Sequence, residues 1–187
     1  MLWKILIALV VIVVGLVTVI ALQPARYRVS RSTTIAAPAP VVFGQVNDFH
    51  RWTAWSPWEK IDPAMKRTYE GPPAGVGASY AWAGKGEVGE GRMTIVESRP
   101  SDLIQVKLEF VKPFAGTSVA EFSFKPEGKP EGKPEGDRTL VTWSMTGDKN
   151  FIAKAIHLVM SMDRMIGDQF DKGLAAMKTV AEAAPRP

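Results

Sequence analysis

The chain has 187 residues, of which 46% are hydrophobic and 22% charged, and it carries a formal net charge of +4. This length suffices for one folded domain, and the composition excludes a disordered chain, a collagen-like repeat and a polytopic membrane protein. The absence of cysteine excludes disulfides, thiolate metal ligands and cysteine nucleophiles. The positive charge is mild and scattered along the chain, which argues against nucleic-acid binding.

The N-terminal segment from Ile5 to Leu22 is an uncharged, apolar run of 18 residues. As an α-helix it would be about 27 Å long, close to the thickness of a hydrocarbon core. Trp3 and Lys4 precede the run and three arginines follow it, as is typical at the ends of a spanning helix. A cleaved signal peptide is the alternative, but its apolar region is normally shorter. The sequence therefore predicts a single-pass membrane anchor over residues 1–25, with a slight preference for a cytoplasmic domain.

The remainder of the chain contains no second segment of spanning length, so we expect residues 26–184 to form one soluble domain beside the membrane surface. Alternation of apolar and polar residues predicts a strand from Arg26 to Ile35. A short helix is predicted between Pro40 and Asp48, because proline is tolerated in a first helical turn.

A tryptophan-rich segment follows, in which Trp52, Trp55 and Trp58 are three residues apart. The spacing predicts a helical or 3₁₀ turn with the rings on one side, and Pro57 forces Ser56 out of the helical region. Rings of this size usually fill a core, and the same rings can contact a ligand.

The middle of the chain alternates short strand patterns with turn residues. The predicted strands are Met65–Tyr69, Ser79–Ala83, Met93–Glu97, Leu103–Phe110, Ser118–Lys125 and Thr139–Thr146. Their lengths and regular alternation predict an antiparallel meander with one buried and one solvated face. The glycines between residues 84 and 91 separate two strand patterns, so we expect a hairpin turn with bulges there rather than a phosphate-binding loop.

Residues 126–136 repeat a unit of proline, glutamate, glycine and lysine and contain no apolar residue. With nothing to bury, this segment is predicted to be a lengthened, solvated hairpin loop within the domain. A binding site for a partner is the alternative interpretation of the repeat.

The C-terminal part of the chain is predicted to be helical, with a short helix over Phe151–Met160 and a long one over Met162–Glu182. Apolar residues recur in the long helix at spacings of three and four, at Ile166, Phe170, Leu174, Met177 and Ala181. Gly167 and Gly173 weaken such a helix by about 1 kcal/mol each, which predicts that another element packs closely against those turns.

This order of elements predicts an α+β fold and resembles the START-like superfamily, also called SRPBCC or helix-grip proteins, in its polyketide cyclase/dehydrase-like branch. The residues that carry the resemblance are Ile35–Phe43, Trp52–Trp58, Gly77–Trp82 and Gly173–Lys178. The resemblance implies a curved antiparallel β-sheet wrapped around the long C-terminal α-helix, preceded here by a single transmembrane helix. It covers residues 26–184.

The resemblance also implies a cavity between the sheet and the C-terminal helix that accepts a small apolar or aromatic molecule, lipid-like or polyketide-like. Residues expected to contact this ligand are Trp55, Trp58, Tyr80, Trp82, Val106, Leu108, Phe122, Trp143, Phe170 and Leu174. The expected function is a membrane-tethered binding module. The alternatives are a cyclase or dehydratase that uses the same cavity, and an interaction domain with a filled core.

Few residues favour catalysis. Asp48, His50 and Arg51 are the best candidates for acid–base chemistry, because histidine titrates near neutrality and a carboxylate can hold one tautomer. A solvated helix end explains His50 as well, and His157 is expected at the surface. We expect no catalytic residue, metal or cofactor, because no nucleophile–base order, metal-ligand pattern or phosphate loop is present. A purely apolar cavity would favour binding, and a buried carboxylate or histidine would favour chemistry.

Overall fold

The computed structural model describes residues 1–86, 88–127, 138–158 and 161–184. Its elements, in chain order, are α1 (Leu2–Leu22), β1 (Arg26–Ile35), α2 (Ala39–Asn47), a 3₁₀ turn (Phe49–Arg51), α3 (Trp52–Trp55), α4 (Pro57–Ile61), β2 (Lys66–Glu70), β3 (Ser79–Ala83), β4 (Glu90–Arg99), β5 (Leu103–Lys112), β6 (Gly116–Glu127), β7 (Arg138–Asp148), α5 (Phe151–His157) and α6 (Met162–Ala183). The first two residues of the repeat at 126–136 belong to β6, and the rest of the repeat lies outside the described residues.

The seven strands form one open antiparallel sheet in the order β1-β7-β6-β5-β4-β3-β2. Strands β2 to β7 are a meander, as predicted, and β1 adds to the free side of β7.

The two ends of the sheet differ in their neighbours. The end next to α1, here called the α1 end, carries Arg26, Phe110, Gly116 and Asp148. The opposite end, here called the far end, carries Ile35, Glu127, Arg138 and the loop of residues 71–78.

The hairpin between β3 and β4 confirms the prediction for the glycine-rich segment. Gly89 has a φ of +62°, in the left-handed region that favours glycine. The β4–β5 register shifts between Glu90 and Gly91, as expected for a bulge. Gly91 lies within β4, which therefore starts earlier than predicted, and the indole of Trp82 occupies the space that a side chain at Gly91 would need.

The long helix α6 lies on the buried face of the sheet and packs against β1, α2, α3 and α4. Its N-terminus is capped by the Ser161 hydroxyl, which accepts a hydrogen bond from the backbone N–H of Arg164 at 3.3 Å. Both of its glycines are sites of close packing, as predicted. The Arg31 guanidinium lies against Gly167, and the Trp143 ring lies 2.8 Å from where a Cβ would stand on Gly173. The α+β fold with a helix gripped by an antiparallel sheet is therefore confirmed.

Helix α1 has 21 residues and is about 31 Å long. Within the described part of the chain it is the one helix long and apolar enough to cross a membrane. Only its last turn is covered by the rest of the protein, where Ile20 is 6% exposed. There the Lys154 ammonium donates to the backbone carbonyl of Ala21 at 3.1 Å. The end of α1 is therefore attached to α5.

Candidate functional site

A cavity of about 680 Å³ lies between the sheet, α5 and α6. This volume falls within the range of about 300–1,000 Å³ that is typical of small-molecule sites. Its wall combines the inner face of β3 to β7 with side chains from α4, α5 and α6. The segment 112–118, Asp148 and Asn150 are among the lining residues, and all of them lie at the α1 end of the sheet. Phe114 and Ile152 line the cavity and are more than half exposed, so the cavity opens at the α1 end.

The floor of the cavity is a cluster of aromatic rings centred on Trp143. Phe122 lies directly opposite Trp143 on β6, and its ring supports the indole from behind the cavity wall, stacked at 4.8 Å. Phe170 of α6 stacks on the same indole at 3.9 Å with an interplanar angle of 12°. Trp58 meets Trp143 edge-on at 5.8 Å and 72°. Stacked and edge-on pairs of this kind stabilise a rigid, apolar surface.

The charged side chains that line the cavity differ in burial: Lys112 and Asp148 are exposed at the α1 end, whereas Glu59 is buried in the largely apolar wall. Glu59 of α4 lines the cavity and is only 7% exposed. The Tyr80 hydroxyl donates to Glu59 Oε1 at 2.8 Å, and the Arg67 Nε donates to Glu59 Oε2 at 2.8 Å. Arg67 therefore balances the buried negative charge, and both carboxylate oxygens have donors.

The hydroxyl of Tyr80 stays protonated in this environment. Burial is the main cause that raises the pKa of Tyr80 above its ordinary value, and the hydrogen bond to Glu59 raises it further. The nearby Tyr69 phenol also has a raised pKa, chiefly because of burial. The Glu59–Tyr80 pair can therefore orient a polar group of a ligand, with the phenol oxygen as an acceptor.

Six of the ten predicted ligand-contacting residues line the cavity. They are Trp58, Tyr80, Trp82, Leu108, Trp143 and Phe170. The other four, Trp55, Val106, Phe122 and Leu174, are buried in the core and are not part of the wall. Alternation along a strand or helix identifies the buried face, but it does not give the depth of a residue relative to the cavity. Trp55, for example, turns its indole N–H to the Gln45 carbonyl of α2 at 3.0 Å.

Sequence reasoning missed Glu59 and Arg67, which are the charged pair of the site. The available signal was a carboxylate directly after Trp58 in a segment otherwise rich in buried rings. No local pattern links that position to Arg67, because the partner belongs to β2 and reaches it only in the folded chain.

The Asp48–His50 pair lies away from the cavity. Asp48 Oδ1 accepts from the His50 backbone N–H at 2.9 Å, which caps the 3₁₀ turn. The His50 ring stacks on Tyr69 at 4.1 Å, and its side chain is about half exposed. The side chain of His157 lies outside the described part of the chain. Among the described residues, no group of three histidine, aspartate or glutamate side chains is arranged to hold a metal ion.

Solved structures share this fold. Norcoclaurine synthase from Thalictrum flavum superimposes with a TM-score of 0.60 at 13% identity, covering 86% of this chain and 96% of the synthase. A protein from Thermobifida fusca gives a TM-score of 0.58 at 23% identity, covering 85% of this chain and 95% of its own. The di-domain ARO/CYC protein StfQ of the steffimycin biosynthetic pathway gives 0.57 at 13% identity, covering 84% of this chain and 51% of StfQ. These likenesses establish the fold.

Sequence comparison assigns the family. A search of curated proteins finds no significant match. The family model for polyketide cyclase / dehydrase and lipid transport matches residues 26–182, which is nearly the whole chain after α1. Family and fold together suggest a hydrophobic-ligand-binding or cyclase-like domain. The chain therefore belongs to the polyketide cyclase/dehydrase and lipid transport family of the START-like (SRPBCC) superfamily.

Proposed function

We propose that the protein is a membrane-tethered binding module for a small apolar or aromatic molecule, lipid-like or polyketide-like, held in the cavity between the sheet and α6. The observation that carries this proposal is the open cavity of about 680 Å³ with an aromatic floor. An interaction domain with a filled core is not favoured, because the sheet and the helices leave this space between them. Mainly apolar walls with a few polar groups are the usual composition of a site for a largely apolar ligand.

The polar pair narrows the class of ligand. The Glu59–Tyr80 pair is the buried acidic part of a wall that is otherwise formed mainly by rings and aliphatic side chains. A ligand with one hydroxyl, amine or protonated carboxyl group could hydrogen-bond there while its apolar part lies against Trp143 and Phe170. An ionised ligand group beside Glu59 would find no free countercharge there, because Glu59 is already paired with Arg67.

The tether is the second part of the proposal. Helix α1 is long enough for a hydrocarbon core, and mostly exposed apolar side chains surround it. A signal sequence also places an apolar segment near the N-terminus, although its apolar region is normally shorter than this one. Mass measurement of the protein purified from membranes separates the two: we expect the intact chain with residues 1–22, and a product cut near Leu22 would contradict the tether. The cytoplasmic orientation predicted from the flanking charges stays a prediction.

Ligand binding can be tested with the full chain in lipid nanodiscs and a panel of fatty acids and fused aromatic compounds. We expect a change in tryptophan fluorescence at micromolar concentrations, which corresponds to about −8 kcal/mol of binding free energy. Ala120→Phe should weaken binding, because Ala120 is buried in the cavity wall and a phenyl ring at this position would occupy part of the cavity. Ala175→Phe is the matched control, since Ala175 is exposed on the outer side of α6. Loss of binding in both variants, or no binding by wild type, would contradict the proposal.

An enzyme of the cyclase or dehydratase kind is the second candidate, favoured by the buried carboxylate of Glu59 beside the cavity. Both oxygens of Glu59 already accept hydrogen bonds, which makes it a better positioning group than a base. The test is the mass of each bound compound after incubation. Recovery of compounds with unchanged mass supports binding alone. A compound that loses the mass of one water with wild type, but not with Glu59→Gln, supports the enzyme.

A further inference from the structure

The cavity mouth and the end of α1 lie on the same side of the domain. Only three residues separate Leu22 of α1 from Arg26 of β1, a distance of at most about 14 Å. The connection is also fixed by contacts, because the Lys149 backbone N–H donates to the Ala25 carbonyl at 2.7 Å. The end of α1 is thus held by two lysines: Lys149, which lies just before α5, and Lys154 of α5, which donates to the Ala21 carbonyl. If α1 spans a bilayer, the α1 end of the sheet therefore lies at the surface of that bilayer.

Exposed apolar side chains surround the mouth. After α1, the described residues include ten large apolar side chains that are exposed, and five of them lie on segments that form the mouth. They are Val111, Phe114, Phe151, Ile152 and Met165. They come from the end of β5, the loop after it, α5 and the start of α6. Such a concentration of apolar groups at one end needs a partner that is itself apolar.

The bilayer is the partner that the tether supplies. The headgroup layer of one leaflet is about 5–8 Å thick, and interfacial apolar groups lie about 5–10 Å below its surface, so a linker of this length brings the rim within reach. Lys149 lies on the same rim, and its charge suits anionic headgroups, whereas the charge of Lys112 there is balanced by Glu90 at 2.9 Å. A second copy of the chain has no comparable constraint that would place it over the mouth.

We propose that the mouth of the cavity docks on the bilayer that α1 crosses, so that the ligand passes directly between the lipid leaflet and the cavity. The ligand is then a membrane-resident amphiphile rather than a compound dissolved in water. This inference rests on the proposed function, since it needs both the tether and an apolar ligand.

Docking can be measured without any ligand by site-specific labelling. The chain has no cysteine, so each variant with one introduced cysteine carries a single dye at a known position. We choose Val111→Cys and Phe151→Cys at the rim, neither of which lines the cavity. Val76→Cys is the matched control: Val76 and Val111 are both 59% exposed, but Val76 lies in the loop at the far end. Each variant of the full chain is labelled with an environment-sensitive dye and placed in liposomes with or without spin-labelled acyl chains.

We expect spin-labelled lipid to quench the dyes at residues 111 and 151 about two-fold and to leave the dye at residue 76 unchanged, because quenching needs contact with acyl chains. Quenching at the rim no greater than at residue 76 would overturn the proposal. Self-quenching at the rim that disappears when the protein is diluted in lipid would indicate a second copy and would also overturn it.

Ligand exchange separates this inference from the proposed function. The probe is cis-parinaric acid, delivered to the full chain from donor liposomes. The double variant V111S/F151S should slow uptake about ten-fold with an unchanged dissociation constant, because the rim acts on passage and not on the bound state. Val76→Ser should leave the rate unchanged. If a compound binds but the rim dyes are not quenched, the docking is refuted and the proposed function stands. If the rim dyes are quenched but no compound binds, the proposed function is refuted.

Discussion

The ring of Phe170 lies flat on the indole of Trp143, with centroids 3.9 Å apart and an interplanar angle of 12°. This contact joins α6 to β7 directly at the floor of the cavity. The two rings serve two purposes, since one face of the pair belongs to the packed core and another borders the space for a ligand. Stability and binding are therefore coupled at this point.

Phe170→Ala is expected to lower the free energy of unfolding by about 3–5 kcal/mol, because it removes a buried ring and enlarges a cavity. The matched control is Phe151→Ala, whose ring is exposed and lies outside the cavity wall, with an expected change within about 0.5 kcal/mol. Urea denaturation measures both values. If Phe170→Ala still folds, it should also accept larger ligands than wild type. Equal stability of the two variants would show that the stacked pair does not hold α6 on the sheet.

Gly173→Ala is expected to destabilise the protein although alanine is the better helix former. A Cβ at residue 173 would lie 2.8 Å from the ring of Trp143 and 3.1 Å from the ring of Pro57, and both of these residues are buried. Gly44→Ala is the control within another helix, where the nearest atom would be 3.4 Å from the new Cβ. That change should stabilise the protein by about 0.5–1 kcal/mol. A gain in thermal midpoint for both variants would contradict the close packing at Gly173.

Tyr80→Phe is expected to cost about 1–3 kcal/mol at neutral pH, because it leaves Glu59 Oε1 without its donor. The effect should depend on pH. Burial and the hydrogen bond raise the folded-state pKa of Tyr80 above the unfolded value near 10. The stabilisation that the Tyr80 hydroxyl provides is therefore complete below about pH 10 and is lost as pH rises towards the folded-state pKa. Urea denaturation should show that the difference in free energy of unfolding between wild type and Tyr80→Phe becomes smaller above pH 10. A difference that does not change with pH would contradict a protonated, buried phenol.

The tether predicts how the protein leaves a membrane. High salt and alkaline carbonate washes should leave the full chain in the membrane fraction, because an apolar spanning helix does not depend on charge for its attachment. A chain without residues 1–24 should appear in the soluble fraction and keep its thermal transition. Release of the full chain by salt would indicate peripheral attachment instead.

Local periodicity explains why much of the fold is predictable from the sequence. The strand Arg26–Ile35 and the strand Ser79–Ala83 are found at their predicted bounds, and the helix predicted over Met162–Glu182 is one residue longer. Side chains alternate every two residues in a strand and recur every 3.6 residues in a helix, so these elements show in the sequence itself. The glycines at 167 and 173 likewise indicate close packing, although they do not name Arg31 or Trp143 as the neighbours.

The sequence by itself determined the apolar N-terminal helix, the strand and helix pattern and the family, and its periodicity predicted the buried faces of the strand Leu103–Phe110 and of the long C-terminal helix. Only the tertiary structure decided that the cavity is open, that Phe122 and Leu174 lie behind its wall, and that Glu59 pairs with Arg67 and Tyr80. It also decided that the mouth lies beside the end of α1. The physical reason is that the local repeat of the backbone sets the face of a strand or helix on which a side chain lies. The depth of that side chain relative to the cavity, its pairing with other side chains and the position of the opening depend on how far each element is shifted along its neighbours.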